Sequence, residues 1–335
     1  MRKKWKEPLF ALAFVLTAAL LLNFIAAVLR PAHTDYGSTW DAYLCEPEDS
    51  IDVLFFGSSY AYCDWNPGAM YAGSGLTGYV LGGSEQTPAI TYWYLKEALK
   101  TQSPSVVVME GSSLFFDRYQ NYTQINIGYM PWGANRVGAI FDAAEEDKRL
   151  GLFFDLYFYH DRWKELTAGD VKKALTPAKA DQLKGHTAVD QVYDRAWEGP
   201  AVWDMRQSEE VYLQNLQDFG RIAQVCREAG VELVLTVNPT YSQYTQAVYQ
   251  RLEEDVARLA PEAVFVNWAD SFEEIGLDPE RHLYDGGHLN ADGAQIFSDY
   301  TGKVLLAMGC TPREQTAENA AAWEKTAAYW AERNG

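Results

Sequence analysis

Short apolar runs alternate with amphipathic stretches along most of the chain. Continuously hydrophobic runs, typical of strands covered on both faces, occupy residues 51–57, 105–110, 231–237 and 263–268. Apolar positions recur with helical spacing over residues 86–100, 208–228, 244–259 and 291–306. Strands that alternate with helices in this way predict an α/β fold with three layers, α/β/α, around a parallel sheet.

Two stretches depart from this alternation. Residues 119–205 are rich in aromatic residues and glycine and show no clear buried strand. We therefore interpret them as an insertion between core elements. Loops in such positions often carry specificity. Residues 311–335 are rich in Ala and Glu and predict a C-terminal helix. The main domain is therefore predicted over residues 51–310, with the insertion inside it.

An apolar run near the start of the chain is long enough to cross a membrane. Residues 9–29 are interrupted only by Thr17 and Asn23, and basic residues precede them within positions 2–6. At ~1.5 Å per residue the run is about 30 Å long, which matches the hydrocarbon core of a bilayer. The basic flank should stay in the cytoplasm, so residues 1–30 are predicted to be a cytoplasmic stub and a transmembrane anchor.

The rest of the chain is accordingly expected outside the cytoplasm, held at the cell membrane by a single span. A polar linker over residues 31–50 would join the anchor to the domain. A cleaved signal peptide is the alternative, because Ala26 and Ala27 supply small residues. Either interpretation places the domain where a disulfide between Cys45 and Cys63 is allowed.

The composition narrows the range of partners. A formal net charge of −18 argues against a nucleic-acid partner, which requires a basic face. The four cysteines form no CxxC pair, and the five histidines do not fall at metal-ligand spacing with them. A structural zinc site is therefore not expected.

The first candidate for chemistry follows the first predicted strand, where the sequence continues GSSYAYCDWNP. This position puts Ser58 and Ser59 at the carboxyl end of a parallel strand, where α/β sheets bind their ligands. A serine at the start of a helix also gains from free backbone N–H groups and from the positive end of the helix dipole, which stabilise an oxyanion. The alternative is that both serines only cap the helix.

The second candidate is the segment YDGGHLN, just before a helix that Asn290 would cap. Two residues separate Asp285 from His288, so the carboxylate can hold the imidazole of its own loop in one tautomer. The other ring nitrogen can then accept a serine proton. A metal site is the alternative, but only His282 is near in sequence as a third ligand.

Together the two segments resemble the first and last signature blocks of the SGNH/GDSL hydrolase superfamily, with GSSY in place of Gly-Asp-Ser-Leu. The resemblance covers about half of the chain, and it aligns Ser59 with the nucleophile. It aligns Asp285 and His288 with the family's Asp-x-x-His pair. The order of the blocks along the chain also agrees. The resemblance therefore implies a flavodoxin-like sheet and a catalytic triad of Ser59, Asp285 and His288.

The middle blocks of the family are less regular here. GYVLGGSEQTP is similar to the second block, which implies an oxyanion hole made by the N–H groups of Ser59 and Gly82. The family's third block supplies an asparagine after the next strand, but this chain has Glu110 there. Ser58, Gln86 and Glu110 lie close to these positions and are candidates for substrate binding. The departure resembles the membrane-anchored, cell-envelope branch of the superfamily, the DltD-like proteins.

Within the insertion, the sequence YHDRW places basic side chains beside aromatic rings. Such a group suits a sugar or an anionic polymer, with the rings stacking and Arg162 binding a carboxylate or phosphate. His160 and Arg162 are therefore further candidates for substrate binding. The alternative is a helix end that packs its aromatic residues into the core.

The resemblance implies a serine esterase or O-acyltransferase that acts through an acyl-serine intermediate and needs no cofactor or metal. Outside the cytoplasm, a cell-wall glycan or exopolysaccharide is the expected substrate, and a membrane-bound acyltransferase is a candidate partner. The alternative function is a non-catalytic, anchored glycan-binding or assembly protein that keeps the fold without the activity.

Overall fold

The computed structural model describes residues 6–31 and 40–333. The strands are β1 (Val53–Gly57), β2 (Gly78–Gly82), β3 (Val106–Glu110), β4 (Ala201–Trp203), β5 (Glu232–Val237), β6 (Ser242–Tyr244) and β7 (Val264–Asn267). The α-helices are α1 (Lys6–Leu29), α2 (Trp40–Tyr43), α3 (Ser59–Asp64), α4 (Pro67–Ser74), α5 (Pro88–Ala98), α6 (Thr123–Tyr129), α7 (Ala134–Ala143), α8 (Arg149–Leu152), α9 (Asp155–Phe158), α10 (Ala168–Ala174), α11 (Glu209–Ala229), α12 (Gln246–Leu259), α13 (Phe272–Ile275), α14 (Ala291–Ala307) and α15 (Ala317–Arg333). Short 3₁₀ helices span Gly111–Phe115 and His160–Lys164.

Within the described residues, five strands form one parallel sheet in the order β2-β1-β3-β5-β7. This is the doubly wound order of flavodoxin-like folds, in which ligands bind at the carboxyl ends of the strands next to β1. The predicted α/β fold with a parallel sheet is confirmed. Strand β2 was not predicted, because five residues bounded by Gly78 and Gly82 give too short an apolar run to separate from a loop.

The central strand β1 is buried along its whole length, which explains its unbroken hydrophobic sequence. Leu54 and Phe56 belong to one core cluster, which includes residues of α5 and α11. Phe55 belongs to the cluster on the other side, where its ring lies 4.7 Å from that of Trp65. Because the strand is fixed from both faces, the residues that follow it have a defined position.

The helices begin and end at side chains that satisfy free backbone groups. Ser208 caps α11 by accepting a hydrogen bond from Val211 N at 3.3 Å, and Asn290 caps α14 through Gly293 N at 3.0 Å. Helix α11 ends at Gly230, whose φ of +69° suits the left-handed conformation of a helix end. The predicted helices in these regions are confirmed.

The C-terminal helix α15 packs against α4 through two tryptophans that are almost fully buried, Trp323 and Trp330. Gly68 permits this contact, because a Cβ there would lie 2.5 Å from Cδ1 of Trp330. The predicted helix is present, and part of it belongs to the core rather than to the surface.

The N-terminal region has two parts. Within the described residues, α1 is the one helix long and apolar enough to cross a membrane, and its side chains are largely exposed rather than packed in the domain. Residues 32–39 of the predicted linker lie outside the described residues. Trp40 and Tyr43 are buried in the core, so the later part of the linker belongs to the folded domain.

Candidate active site

Ser59 stands at the first position of α3, two residues beyond the end of β1. The preceding Ser58 is fully buried, and its Oγ accepts a hydrogen bond from Tyr60 N at 3.4 Å as the helix cap. The first N–H groups of a helix have no partner within the helix. In the part of the chain that the structure describes, no hydrogen bond engages the Ser59 N–H.

A tight turn holds Asp285 and His288 together. Oδ1 of Asp285 accepts hydrogen bonds from Gly287 N at 2.7 Å and from His288 N at 2.9 Å. The same carboxylate lies 2.9 and 3.0 Å from His288 Nδ1. Because an ionised carboxylate only accepts, Nδ1 carries the proton and Nε2 is left as the acceptor.

His288 Nε2 lies 2.7 Å from Ser59 Oγ. Ser59 and His288 are 229 positions apart in the chain and meet at the carboxyl end of the sheet. The structure therefore brings Ser59, His288 and Asp285 into one hydrogen-bonded line, with the geometry of a nucleophile, a base and a group that orients the base.

The carboxyl group of Asp285 stays ionised in this arrangement. Partial burial acts to raise its pKa, but the hydrogen bonds and the charge of His288, together with the two backbone N–H donors, lower the pKa below its ordinary value. The imidazole therefore faces a negative charge at neutral pH.

Two tyrosine rings contact the imidazole of His288. The ring of Tyr284 is stacked on it with centroids 5.2 Å apart and planes at 11°, and the ring of Tyr60 lies 4.6 Å away. Gly287 allows the approach of Tyr60, because a Cβ at this position would lie 2.8 Å from Tyr60 Oη. These rings limit the movement of the imidazole, and their faces favour a positive charge on it.

A buried acid lies behind the triad. Asp64, at the end of α3, is fully buried, and its carboxylate accepts hydrogen bonds from Leu289 N at 2.9 Å and from Asn238 Nδ2 at 3.1 Å. Asn238 also donates to the carbonyl oxygen of Tyr60 at 3.1 Å. Burial raises the pKa of Asp64 well above its usual range, against these hydrogen bonds. Asp64 thereby joins the helix of Ser59 to the loop of His288.

The glycines after β2 lie beside the nucleophile turn. Gly82 pairs in register with Gly57, and a Cβ on it would lie 3.1 Å from the carbonyl oxygen of Ser58. The N–H of the next residue, Gly83, is engaged by the carbonyl oxygen of Gly57 at 3.2 Å. Gly82 thus lies against the turn at Gly57 and Ser58 that precedes Ser59, whereas the N–H of Gly83 is occupied.

Glu110 and Gln86 are near the site but fully buried. Oε1 of Glu110 accepts a hydrogen bond from Ser112 N at 2.7 Å, and burial raises the pKa of the carboxyl group to about 7. Gln86 Nε2 donates to the carbonyl oxygen of Leu81 at 3.3 Å and to Thr91 Oγ1 at 3.0 Å. Together with the buried helix cap Ser58, these residues support the backbone of the site, and their burial gives no support to direct substrate binding.

His160 and Arg162 do not lie at the triad. His160 is exposed and stacks on the ring of Tyr157. Nη1 of Arg162 donates to the carbonyl oxygen of Leu29 at 2.5 Å, and its Nη2 lies 3.0 Å from Asp170. The prediction that this pair binds substrate therefore finds no support here, because Arg162 is used to hold the end of α1.

One side chain of the insertion does reach the site. Asn126 of α6 donates through Nδ2 to the carbonyl oxygen of Ser84 at 2.9 Å, and Ser84 Oγ lies 2.7 Å from Tyr62 Oη. Nothing in the sequence singled out Asn126. Asn238 was also missed, although its position directly after β5, at the carboxyl end of a parallel strand, is a signal that could have found it.

The cysteines are unpaired in the structure. Cys63 is buried beside the site, with its Sγ 3.9 Å from Tyr284 Oη, and burial raises the pKa of its thiol well above the usual range. Cys45 lies in a different environment, where its Sγ contacts the carbonyl oxygen of Asp41. The disulfide that the sequence allows between Cys45 and Cys63 is not formed.

Comparisons with known proteins show a likeness to solved structures only. No protein-family model matches the chain, and no curated protein matches it. The chain is similar to a protein from Bacteroides fragilis NCTC 9343 described as a "putative acylhydrolase", with a TM-score of 0.37 and 10% sequence identity. The match covers 79% of this chain and 91% of that chain. The arrangement of Ser59, His288 and Asp285 is therefore what argues for a function.

Proposed function

We propose that the chain is a membrane-anchored serine esterase or O-acyltransferase of the SGNH type. In this proposal the domain lies outside the cytoplasm and acts on ester-linked acyl groups of a cell-envelope glycan or polymer, as in the DltD-like branch. The observation that carries the proposal is the contact of Ser59 Oγ with His288 Nε2 at 2.7 Å, backed by Asp285. A serine and a histidine that only stabilised the fold would not need a carboxylate aligned behind the ring.

The first half of the reaction transfers the acyl group to the enzyme. Ser59 Oγ bonds to the ester carbonyl carbon while its proton passes to His288 Nε2. The carbon–oxygen bond to the leaving alcohol then breaks, and His288 returns the proton to the departing oxygen. Asp285 keeps the ring oriented and stabilises the imidazolium. An acyl-serine and a free alcohol result.

The second half removes the acyl group by the same steps in reverse. His288 takes a proton from water or from an alcohol, whose oxygen attacks the acyl-serine, and the proton goes back to Ser59 Oγ. Water gives a carboxylic acid and a sugar or polymer hydroxyl gives a new ester. The enzyme needs no metal or cofactor for either outcome.

The negative oxygen of each tetrahedral intermediate requires hydrogen-bond donors. We assign this role to the N–H groups of Ser59 and Gly82. The N–H of Ser59 is without a partner among the described residues, and Gly82 lies against the same turn. Glu110, which stands where the family has an asparagine, is held by Ser112 N and is left out of this role.

A fluorophosphonate probe tests the proposal, because it reacts with a serine only when a base activates it. The full chain in detergent, treated with the probe and measured by intact mass, should gain one adduct. Ser59→Ala should abolish the adduct, and His288→Ala should greatly reduce its rate of formation.

Ser58→Ala is the matched control. It removes a helix cap, which costs about 1 kcal/mol of stability, but it should leave labelling intact. Loss of labelling in Ser58→Ala rather than in Ser59→Ala would show that the nucleophile is Ser58, one residue before the serine proposed here. A folded wild-type chain that gains no adduct would contradict an activated serine and favour the non-catalytic, glycan-binding alternative.

A further inference from the structure

The end of α1 is held by side chains of the insertion. Arg162 Nη1 donates to the carbonyl oxygen of Leu29 at 2.5 Å, and Lys173 Nζ donates to that of Pro31 at 2.6 Å. In the other direction, Arg30 Nη2 donates to the carbonyl oxygen of Tyr129 at 2.6 Å. These bonds satisfy carbonyl groups that a helix end leaves free. They also fix how the domain sits relative to α1.

The insertion runs beside the apolar part of α1 as well as capping its end. A cavity of about 1220 Å³ lies between the two, away from the triad, and its lining includes Ala19 and Leu22 on one side and Lys172 and Lys179 on the other. Arg162 and Lys173 contact the backbone where α1 ends. If α1 crosses a membrane, its end marks the level at which the chain leaves the hydrocarbon core, so this part of the insertion must lie at the surface of that membrane.

This segment, residues 149–179, exposes large apolar side chains that a domain in water would normally bury. The exposed fraction is 65% for Trp163, 65% for Tyr157, 59% for Phe154 and 70% for Leu175. Groups of exposed apolar residues mark interaction surfaces. Trp and Tyr are enriched where a membrane meets water, because their rings are apolar and their edges are polar.

The charge of the segment also differs from that of the whole chain. Residues 149–179 contain six Lys or Arg and four Asp or Glu, whereas the chain has a formal net charge of −18. Basic residues near a membrane surface are attracted to anionic lipid headgroups. An anionic phospholipid surface therefore repels this segment less than it repels the chain as a whole.

We propose that residues 149–179 form a membrane-interface surface, with Phe154, Tyr157, Trp163 and Leu175 immersed in the headgroup region of the bilayer that α1 crosses. The partner is the phospholipid surface itself. The proposal rests on the membrane anchoring by α1 that the proposed function includes, and it does not depend on catalysis.

The arrangement has a consequence for the site. Helix α6 contacts Ser84 beside the triad through Asn126, and it contacts Arg30 at the end of α1 through the carbonyl oxygen of Tyr129. Three residues of a helix span ~4.5 Å along its axis. A domain attached to the membrane by α1 and residues 149–179 would thus have its triad near the membrane surface. Acyl groups carried by membrane components are accessible there.

Quenching of a fluorophore by labelled lipid tests the proposal on the full chain. In a Cys45→Ser background, single cysteines are introduced by Trp163→Cys, Leu175→Cys, Leu21→Cys and Glu253→Cys and labelled with an environment-sensitive dye. The other native cysteines are buried. The protein is reconstituted into phosphatidylcholine–phosphatidylglycerol vesicles that carry a quencher high on the acyl chain. Leu21 is an exposed position of α1, and Glu253 is an exposed position of α12.

We expect the dyes at positions 163 and 175 to be quenched severalfold more strongly than the dye at 253. Equal, weak quenching at 163, 175 and 253 would overturn the proposal. The dye at position 21 then separates two causes. If it is quenched, α1 is inserted and only the interface surface is wrong, whereas if it is not quenched, the membrane anchoring itself fails.

Discussion

The carboxylate of Asp64 and the backbone N–H of Leu289 are hydrogen-bonded at 2.9 Å, although 225 positions separate them in the chain. Asp64 ends the helix that begins with Ser59, and Leu289 directly follows His288. A single buried hydrogen bond therefore ties the nucleophile helix to the loop of the base. The acid is fully buried, so water does not compete for this bond.

Removing the carboxylate of Asp64 should slow the reaction of the molecules that remain folded, in addition to lowering the stability of the protein. Asp64→Ala leaves the Leu289 N–H and one of the two hydrogen bonds of the Asn238 amide without an acceptor, at a cost of about 2–4 kcal/mol. Displacement of the His288 loop by even a fraction of an ångström should lower the rate of probe labelling ~10–100-fold. Labelling rates are compared per folded molecule.

Asp64→Asn keeps one oxygen acceptor and should lose less activity than Asp64→Ala. The exposed Asp194 gives a control, because Asp194→Ala removes the same chemical group from the surface. A labelling rate of Asp64→Ala equal to that of Asp194→Ala would show that Asp64 does not position His288.

The ring of Tyr284, rather than its hydroxyl group, should matter for His288. Tyr284→Phe keeps the stacked ring 5.2 Å from the imidazole and loses only the contact with Cys63 Sγ. Tyr284→Leu removes the ring and should slow labelling by about 0.5–1.5 kcal/mol in activation free energy, as expected for an aromatic contact. Equal rates for the Phe and Leu variants would rule out this role.

Glu110 should make the stability of the wild-type protein depend on pH. Burial raises the pKa of its carboxyl group from 4.5 to about 7, so the folded state binds the proton more tightly than the unfolded state. Its contribution to stability is fully present below pH 4.5 and is lost as the pH rises through about 7.

Glu110→Gln has the same shape and no charge, so it should be insensitive to this titration. Between about pH 5 and about pH 8, the free energy of unfolding of Glu110→Gln should rise relative to wild type by up to about 3 kcal/mol. Urea unfolding of the full chain in detergent measures the difference. The exposed Glu253→Gln should show no such trend, and a parallel pH profile for Glu110→Gln and wild type would mean that Glu110 is ionised when folded.

Asp285→Asn should leave the fold intact and almost abolish activity. An asparagine oxygen can still accept from the N–H groups of Gly287 and His288, so the turn is retained. An amide does not stabilise the imidazolium and favours the wrong tautomer, so labelling and ester hydrolysis should fall by about 10⁴-fold. A loss of less than about tenfold in a folded variant would argue that Asp285 does not orient the base.

Arg162→Ala should separate the two roles considered for this residue. Because Arg162 contacts Leu29 and Asp170 rather than the triad, the variant should hydrolyse a small soluble ester within about twofold of the wild-type rate. His160→Ala, at an exposed position, should behave in the same way. A large rise in KM with a small ester would restore the substrate-binding interpretation.

The pattern of the chain was enough to predict the class of fold and to propose candidate site residues. Unbroken apolar runs such as 51–57 occur because the strands are buried on both faces, and cap residues such as Ser208 and Asn290 marked where helices start. Ser59, Asp285 and His288 could be proposed from the sequence because each lies in a local segment whose residue types and spacing suit that chemistry.

Other features depend on contacts between distant segments and could not be predicted from the sequence. The bond of Asp64 to Leu289, the donation of Asn238 to Tyr60, and the contact of Asn126 with Ser84 each join residues far apart in the chain. A basic side chain in an aromatic segment has no local property that separates a ligand site from a helix end, so the sequence did not predict the contacts of Arg162 with Leu29 and Asp170.

The sequence by itself therefore determined the layers of the fold, the apolar N-terminal helix and the residues able to form a triad, because these follow from periodicity and short-range spacing. Only the tertiary structure decided that Ser59 and His288 meet, that the buried Asp64 joins their two segments, and that side chains of the insertion bind the end of α1. Those outcomes depend on how the sheet order and the packing of helices bring distant segments together.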